Sequence, residues 1–129
     1  MNHQAFSLKP FSAANAPTDL QLTGTIARQG HRLNLRYVLS GDLPKIAIAP
    51  PSDQPTRKHE LWQETCFEFF LGLQGSDRYW EFNLSPAGDW NIYRFDAYRQ
   101  GMQEETAFTE LPFVVEAQPE QLSLSLELN

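Results

Sequence analysis

The sequence has 129 residues, a length that predicts one domain, residues 1–129, with a single core. Its 16 Asp and Glu outnumber its 10 Lys and Arg, giving a formal net charge of −6. This acidity argues against a phosphate-binding nucleic-acid surface and against binding to an anionic membrane. Cys66 is the only cysteine, so no internal disulfide forms, and we expect a packed rather than a reactive thiol. Residues 1–20 lack a secretory signal pattern, so we expect a cytoplasmic protein.

The first half of the sequence predicts short strands joined by turns. Residues 6–11 contain Pro10, which is typical of a strand at a sheet edge. Residues 20–27 and 33–39 alternate apolar and polar side chains on either side of a turn with Gly30, which predicts a β-hairpin. A short apolar run follows at 45–49.

The second half ends on a strand pattern. Residues 100–109 are polar and predict a turn of helix or a loop, and 111–115 and 122–128 predict strands. Because the amphipathic last strand ends the sequence, we expect either that further strands of the domain are missing or that it lies at a sheet edge. An exposed edge strand would allow a homodimer by edge-to-edge pairing.

These elements together predict the fold class. Many short strands, frequent turn residues and no amphipathic helix are typical of an all-β protein. We predict an antiparallel two-sheet β-sandwich, immunoglobulin-like or jelly-roll-like, or a partly closed barrel.

The stretch from Arg57 to Arg99 carries the candidate site. It holds all three tryptophans and alternates aromatic and polar residues at period two, which predicts three adjoining strands near residues 64–71, 79–84 and 90–95. If these strands pair, one face collects an aromatic platform and hydrogen-bonding groups. Its predicted members are Trp62, Glu68, Glu81, Asn83, Asn91 and Tyr93.

Such a face has the chemistry of a sugar site. Sugars present apolar C–H faces and rings of hydroxyls, so proteins hold them on an aromatic ring surrounded by carboxylates and amides. The alternative is structural: Trp62 and Tyr93 pack under loops, and the carboxylates form ordinary solvated sheet surface.

Residues 62–70 (WQETCFEFF), 79–90 (YWEFNLSPAGDW) and 93–95 (YRF) resemble the bacterial DOMON-like proteins, which are related to family-nine carbohydrate-binding modules. The resemblance is dense over residues 57–101. It implies a two-sheet β-sandwich and a binding role, usually without catalysis.

The resemblance also implies roles for particular residues. In the sugar-binding relatives a Trp stacks on the sugar and a Glu six residues later accepts hydroxyl hydrogen bonds, a spacing that Trp62 and Glu68 reproduce. Glu81 or Asn83 stands where a neighbouring strand adds polar contacts. No Trp follows Trp90 to match the relatives' second clamping aromatic. Several relatives hold calcium, but here the aspartates that might bind it are scattered, so we expect no metal and no cofactor.

Two rival classes were weighed. Some DOMON domains bind haem through Met and His, but nothing in the sequence brings Met102 and a histidine (His3, His31 or His59) to facing strands. Glu68 and Glu81 could serve as the acid and base of a glycoside hydrolase, although a structural network with Arg94 or Arg99 explains two like charges better.

The sequence therefore predicts a non-catalytic domain that binds a small saccharide through Trp62, Glu68, Glu81, Asn83 and Tyr93. The alternative is an interaction or scaffold domain without a sugar ligand.

Overall fold

The computed structural model of the protein describes residues 2–9, 20–45 and 48–128. Nine strands follow in chain order: β1 Asn2–Leu8, β2 Gln21–Gln29, β3 Arg32–Ser40, β4 Phe67–Gly72, β5 Tyr79–Leu84, β6 Trp90–Phe95, β7 Gln103–Glu104, β8 Phe113–Gln118 and β9 Gln121–Leu128. Two single-turn 3₁₀ helices, Leu43–Lys45 and Leu61–Gln63, complete the regular structure of this part of the chain. The strands form two antiparallel sheets, which confirms the predicted all-β, two-sheet class.

Each sheet belongs to its own compact unit. The five-stranded sheet has the order β1-β2-β3-β9-β8, and the four-stranded sheet has the order β4-β5-β6-β7. Within the described ranges, no helix has the length and apolar character needed to cross a membrane.

The five-stranded sheet follows directly from alternating side chains. The predicted hairpin is β2 and β3, joined by the two-residue loop Gly30-His31, where Gly30 has a φ of 60° that favours glycine. On β9 every second residue is a buried leucine, and Leu124 lies opposite Tyr37 of β3 and Val115 of β8. A period of two therefore collects one apolar face across the three strands.

The last strand is not at an edge. β9 pairs with β3 on one side and β8 on the other, so the predicted edge position of the last strand is wrong, while a homodimer through an edge strand stays a prediction. The backbone hydrogen-bonding groups on both sides of β9 already have partners in the sheet. The edge strands of the five-stranded sheet are β1 and β8. β1 ends at Leu8. The strand predicted at 6–11 extends further, to residues that lie outside the described ranges.

The four-stranded sheet contains the three strands predicted in the centre of the sequence. β4 begins at Phe67, three residues later than the alternation suggested. The polar stretch 100–109 contains no helix; its residues 103–104 form β7, which pairs with β6. The apolar run predicted at 45–49 lies partly outside the described residues, and residues 48–49 are irregular.

Candidate functional site

The candidate site lies on one face of the four-stranded sheet. Glu68 of β4 lies opposite Asn83 of β5, which lies opposite Asn91 of β6. Two residues earlier on β5, Glu81 lies opposite Tyr93. Residues paired in register project from the same side of a sheet, so these five side chains share one face, as the alternation predicted. We call it the polar face.

Trp62 reaches this region from a 3₁₀ helix rather than from a strand. Leu61–Gln63 is helical and β4 starts only at Phe67, so the strand alternation that contains Glu68 does not extend back to Trp62. Glu60, with a left-handed φ of 61°, begins the helical turn. The Trp62 ring meets the Tyr93 ring edge-on, with centroids 5.8 Å apart. Trp62 is 45% exposed, so one edge of the indole is fixed while much of the ring remains open to solvent.

Tyr93 packs against the indole of Trp62. It is only 3% exposed, and its hydroxyl accepts a hydrogen bond of 3.1 Å from the Asn91 amide. The same hydroxyl lies 3.2 Å from Nδ1 of His59. Burial raises the pKa of the Tyr93 hydroxyl, and a hydrogen bond from the Glu60 backbone opposes that rise. The neutral phenol therefore holds Trp62 in place, and with so little exposed surface it offers a ligand almost no direct contact.

A network that the sequence did not reveal anchors this end of the polar face. Nε2 of His59 lies 2.8 Å from a Glu104 carboxylate oxygen, and its Nδ1 faces the Tyr93 hydroxyl. Asn91 is fully buried; its amide donates to the Lys58 carbonyl at 3.0 Å, and its carbonyl accepts from Arg57 at 2.7 Å. Every polar atom of the Asn91 side chain is thus satisfied.

Arg57 is the centre of that network. Its guanidinium also donates to the carbonyls of Glu105 and Phe108, at 2.9 and 2.6 Å, and lies 3.3 Å from Glu104. It stacks over the Trp90 ring at 4.4 Å. A planar fork of donors suits such a junction better than a Lys ammonium would. The period-two spacing of Arg57 and His59 was visible in the sequence, but their partners are 34 to 51 residues away.

Glu68, Glu81 and Cys66 form the acidic end of the polar face. Both carboxylates are half-buried. Burial raises the pKa of Glu81; the neighbouring Asn83 opposes this, and Glu68 adds to it. The Cys66 thiol lies 3.5 Å from Glu68, and burial together with both carboxylates raises its pKa to about 12. At neutral pH this cysteine is a thiol, so it is not an activated nucleophile.

Asn83 lies between the two ends and is different from Asn91. It is fully buried, yet neither polar atom of its amide has a hydrogen-bond partner among the described residues. Asn83 lies close enough to Glu81 to lower the pKa of its carboxyl, although the two side chains do not meet the geometry of a hydrogen bond. A buried amide without a partner costs about 1–3 kcal/mol of stability, in contrast to the satisfied amide of Asn91.

The suggested arginine partners of the two glutamates lie elsewhere. Arg94 projects from the opposite face, where it lies across from Trp80 and binds Gln103 at 2.7 Å. Arg99 uses its backbone N–H to reach the Tyr79 hydroxyl at 3.1 Å and stacks its guanidinium on Tyr98. Arg94 is therefore on the wrong face to balance the two glutamates, and the part of the predicted structural network that used it is wrong; the part that used Arg99 stays a prediction.

No cation site is assembled from the described side chains: nowhere do three His, Cys, Asp or Glu groups converge in a way that would hold a metal ion. Met102, the methionine weighed as a haem ligand, is 47% exposed. His59 is engaged with Tyr93 and Glu104 instead.

Comparison with solved structures gives a match over nearly the whole chain. The protein superposes on a structure from Bacteroides uniformis named a "putative carbohydrate-binding protein", with a TM-score of 0.68 and 19% sequence identity. The match covers 97% of this chain and 59% of the other, so this chain spans about three fifths of that protein's length. At this identity the likeness establishes a shared fold. No protein-family model and no curated protein matches the sequence.

Proposed function

We propose that this protein is a non-catalytic binding domain that takes a small saccharide on the polar face, with Trp62 as its platform. The observation that carries the proposal is that Trp62 is both exposed and fixed in position. Its indole is 45% exposed, yet it is held against a buried tyrosine. Large exposed aromatics that are rigidly supported are typical of binding sites, because little conformational entropy is lost when a ligand covers them.

The groups beside the platform suit a hydroxylated ligand. Carboxylates accept hydrogen bonds from sugar hydroxyls, and Glu68 and Glu81 are half-buried, so they are already partly desolvated. The amide of Asn83, which has no hydrogen-bond partner among the described residues, offers both a donor and an acceptor. Because Asn83 is fully buried, a hydroxyl reaches it only when a neighbouring side chain moves.

Binding without catalysis fits the chemistry of the face better than hydrolysis. The thiol with a pKa near 12 supplies no nucleophile. The shared fold with a protein named for carbohydrate binding supports the same class of function.

We also propose membership of the DOMON-like proteins related to family-nine carbohydrate-binding modules. The motif from Trp62 to Phe70 and the segment from Tyr79 to Trp90 support this assignment. The family's pairing of a Trp with a Glu six residues later corresponds to Trp62 and Glu68.

Calorimetric titration against a panel of mono- and disaccharides tests the proposal. We expect at least one sugar to bind with a Kd between about 1 mM and 1 μM, the range that stacking plus a few hydrogen bonds provides. Trp62→Ala is expected to weaken that sugar by about tenfold or more.

Val114→Ala is the matched control. Val114 is 58% exposed on the five-stranded sheet, so its truncation removes apolar surface from the other unit and leaves sugar affinity unchanged. If no sugar produces heat with the wild-type protein, the saccharide proposal fails and an interaction or scaffold role replaces it.

A further inference from the structure

The polar face continues beyond Glu81 into a second aromatic group. Phe70 of β4 lies opposite Glu81, and Tyr79 of β5 lies opposite Phe95 of β6. By the same register that places Glu81 and Tyr93 together, these three rings project from the side that carries the polar face. We call them the distal aromatic group: Phe70, Tyr79 and Phe95.

The distal rings are ordered by contact with one another. Tyr79 stacks on Phe95 with centroids 4.8 Å apart and planes 9° apart, and Phe70 meets Tyr79 edge-on at 6.0 Å. The Tyr79 hydroxyl accepts a hydrogen bond from the backbone of Arg99. The group is therefore rigid in the same way as the Trp62 and Tyr93 pair.

Phe70 is exposed in a position that folding does not explain. It is 57% exposed, while Phe95 is 7% exposed. It also lies on β4, the edge strand of its sheet, where a large apolar side chain invites unwanted strand pairing. An open aromatic at such a position is typical of a surface that a ligand covers.

The spacing fits a ligand longer than one sugar ring. Phe70, Glu81 and Tyr93 lie on three neighbouring strands, so Phe70 and Tyr93 are separated by about 10 Å, or two strand spacings. Trp62 covers the Tyr93 end. The aromatic surfaces of Trp62 and Phe70 are thus separated by the Glu81 carboxylate. This alternation suits a ligand whose apolar sugar ring faces are joined by hydroxyl-rich edges. It does not suit a partner with a continuous apolar surface.

We infer that the ligand is a chain of at least two linked sugar rings, one on Trp62 and the next on Phe70 and Tyr79, with Glu81 between them. This inference rests on the proposed saccharide function and specifies the length of its ligand. It assigns Phe70 a contact role that the sequence analysis did not give it.

Titration with three matched series tests it: glucose with cellobiose and cellotriose, xylose with xylobiose and xylotriose, and N-acetylglucosamine with its dimer and trimer. In the series that binds, the disaccharide is expected to bind about tenfold more tightly than the monosaccharide. Phe70→Ala is expected to remove that gain and leave the monosaccharide affinity unchanged, whereas Trp62→Ala weakens both. Because Phe70 is largely exposed, the Ala variant keeps its fold, which circular dichroism verifies.

The outcomes separate this inference from the function beneath it. If mono- and disaccharides bind equally, or if Phe70→Ala leaves their ratio unchanged, the second subsite is wrong and the saccharide function stands. If no sugar binds, both fail. If the wild type is a dimer that Phe70→Ala converts to a monomer, as measured by sedimentation, a second copy covers Phe70 and the inference is overturned.

Discussion

The two sheets of this protein bury different kinds of side chain. In the five-stranded sheet the buried residues are almost all apolar, and Ser123 is its one buried polar side chain among those described. The four-stranded sheet and its β5–β6 turn bury four: Asn83, Ser85, Asp89 and Asn91. Buried polar groups contribute to stability only when they are fully hydrogen-bonded, and Asn83 has no hydrogen bond within the described ranges. The first sheet therefore follows the rules of stable folding, and the second departs from them where the candidate site lies.

Truncation of the apolar core should have the largest effect. Leu124 of β9 is fully buried opposite Tyr37 and Val115, so Leu124→Ala is expected to lower the free energy of unfolding by about 3–4 kcal/mol. Urea denaturation measures this loss. Val114→Ala, on the exposed side of the same sheet, is expected to change stability by less than about 0.5 kcal/mol; equal losses would contradict the assignment of the two faces.

Removal of a satisfied amide should be the next largest effect. Asn91→Leu leaves Arg57, the Lys58 carbonyl and the Tyr93 hydroxyl without their partner. We expect a loss of about 2–3 kcal/mol in the free energy of unfolding, because three buried hydrogen bonds are lost together while Arg57 and Tyr93 keep only their remaining partners. Tyr93 fluorescence and the exposure of Trp62 should also change in Asn91→Leu. An unchanged unfolding midpoint would show that this network does not stabilise the sheet.

Removal of the unsatisfied amide should have the opposite sign. Asn83 is as buried as its cross-strand neighbour Asn91, but both polar atoms of its amide are unpaired among the described residues. Asn83→Leu, which keeps the branching of the side chain, is expected to raise the free energy of unfolding by about 1 kcal/mol and to weaken saccharide binding. A loss of stability equal to that of Asn91→Leu would mean that Asn83 is satisfied after all.

The smallest effect concerns Glu81 and depends on pH. Its folded-state pKa is raised, chiefly by burial, so the stability contributed by its neutral form is present below the unfolded value of about 4.3 and is lost as the pH rises through the folded value. Glu81→Gln should therefore be more stable than the wild type at pH 7, with the difference shrinking toward pH 4. Paired denaturation curves at the two pH values measure it.

Glu116→Gln provides the control for that pH dependence, because Glu116 is exposed on β8 of the five-stranded sheet. Its substitution is expected to change the free energy of unfolding by less than about 0.5 kcal/mol. A destabilised Glu81→Gln at pH 7 would indicate that the carboxylate is favourably paired in the fold.

Local pattern predicted the strands well and their surroundings less well. The hairpin of β2 and β3, and the face shared by Glu68, Asn83 and Tyr93, followed from period-two alternation and are confirmed by the register. The same alternation puts Trp62 on the face of Glu68, but Trp62 lies in a 3₁₀ helix that follows the left-handed Glu60. A single residue with positive φ is enough to break the alternation, and side-chain polarity does not reveal it.

The site was predicted in part for a related reason. Its carboxylates and amides were visible as residues of the right type on one face, whereas Arg57, His59 and Glu104 were not, because their partners lie far away in the sequence. The distal group around Phe70 was equally hidden. Alternation identifies its face, but only the structure shows that the ring is exposed.

The sequence by itself determined which side of each strand is apolar, because successive side chains in an extended backbone point in opposite directions whatever the strand pairs with. Tertiary structure alone decided which strands distant in the sequence are neighbours. It placed the last strand between β3 and β8 and brought Trp62 against Tyr93. These choices depend on packing between residues distant in the chain, and no local preference of the backbone encodes them.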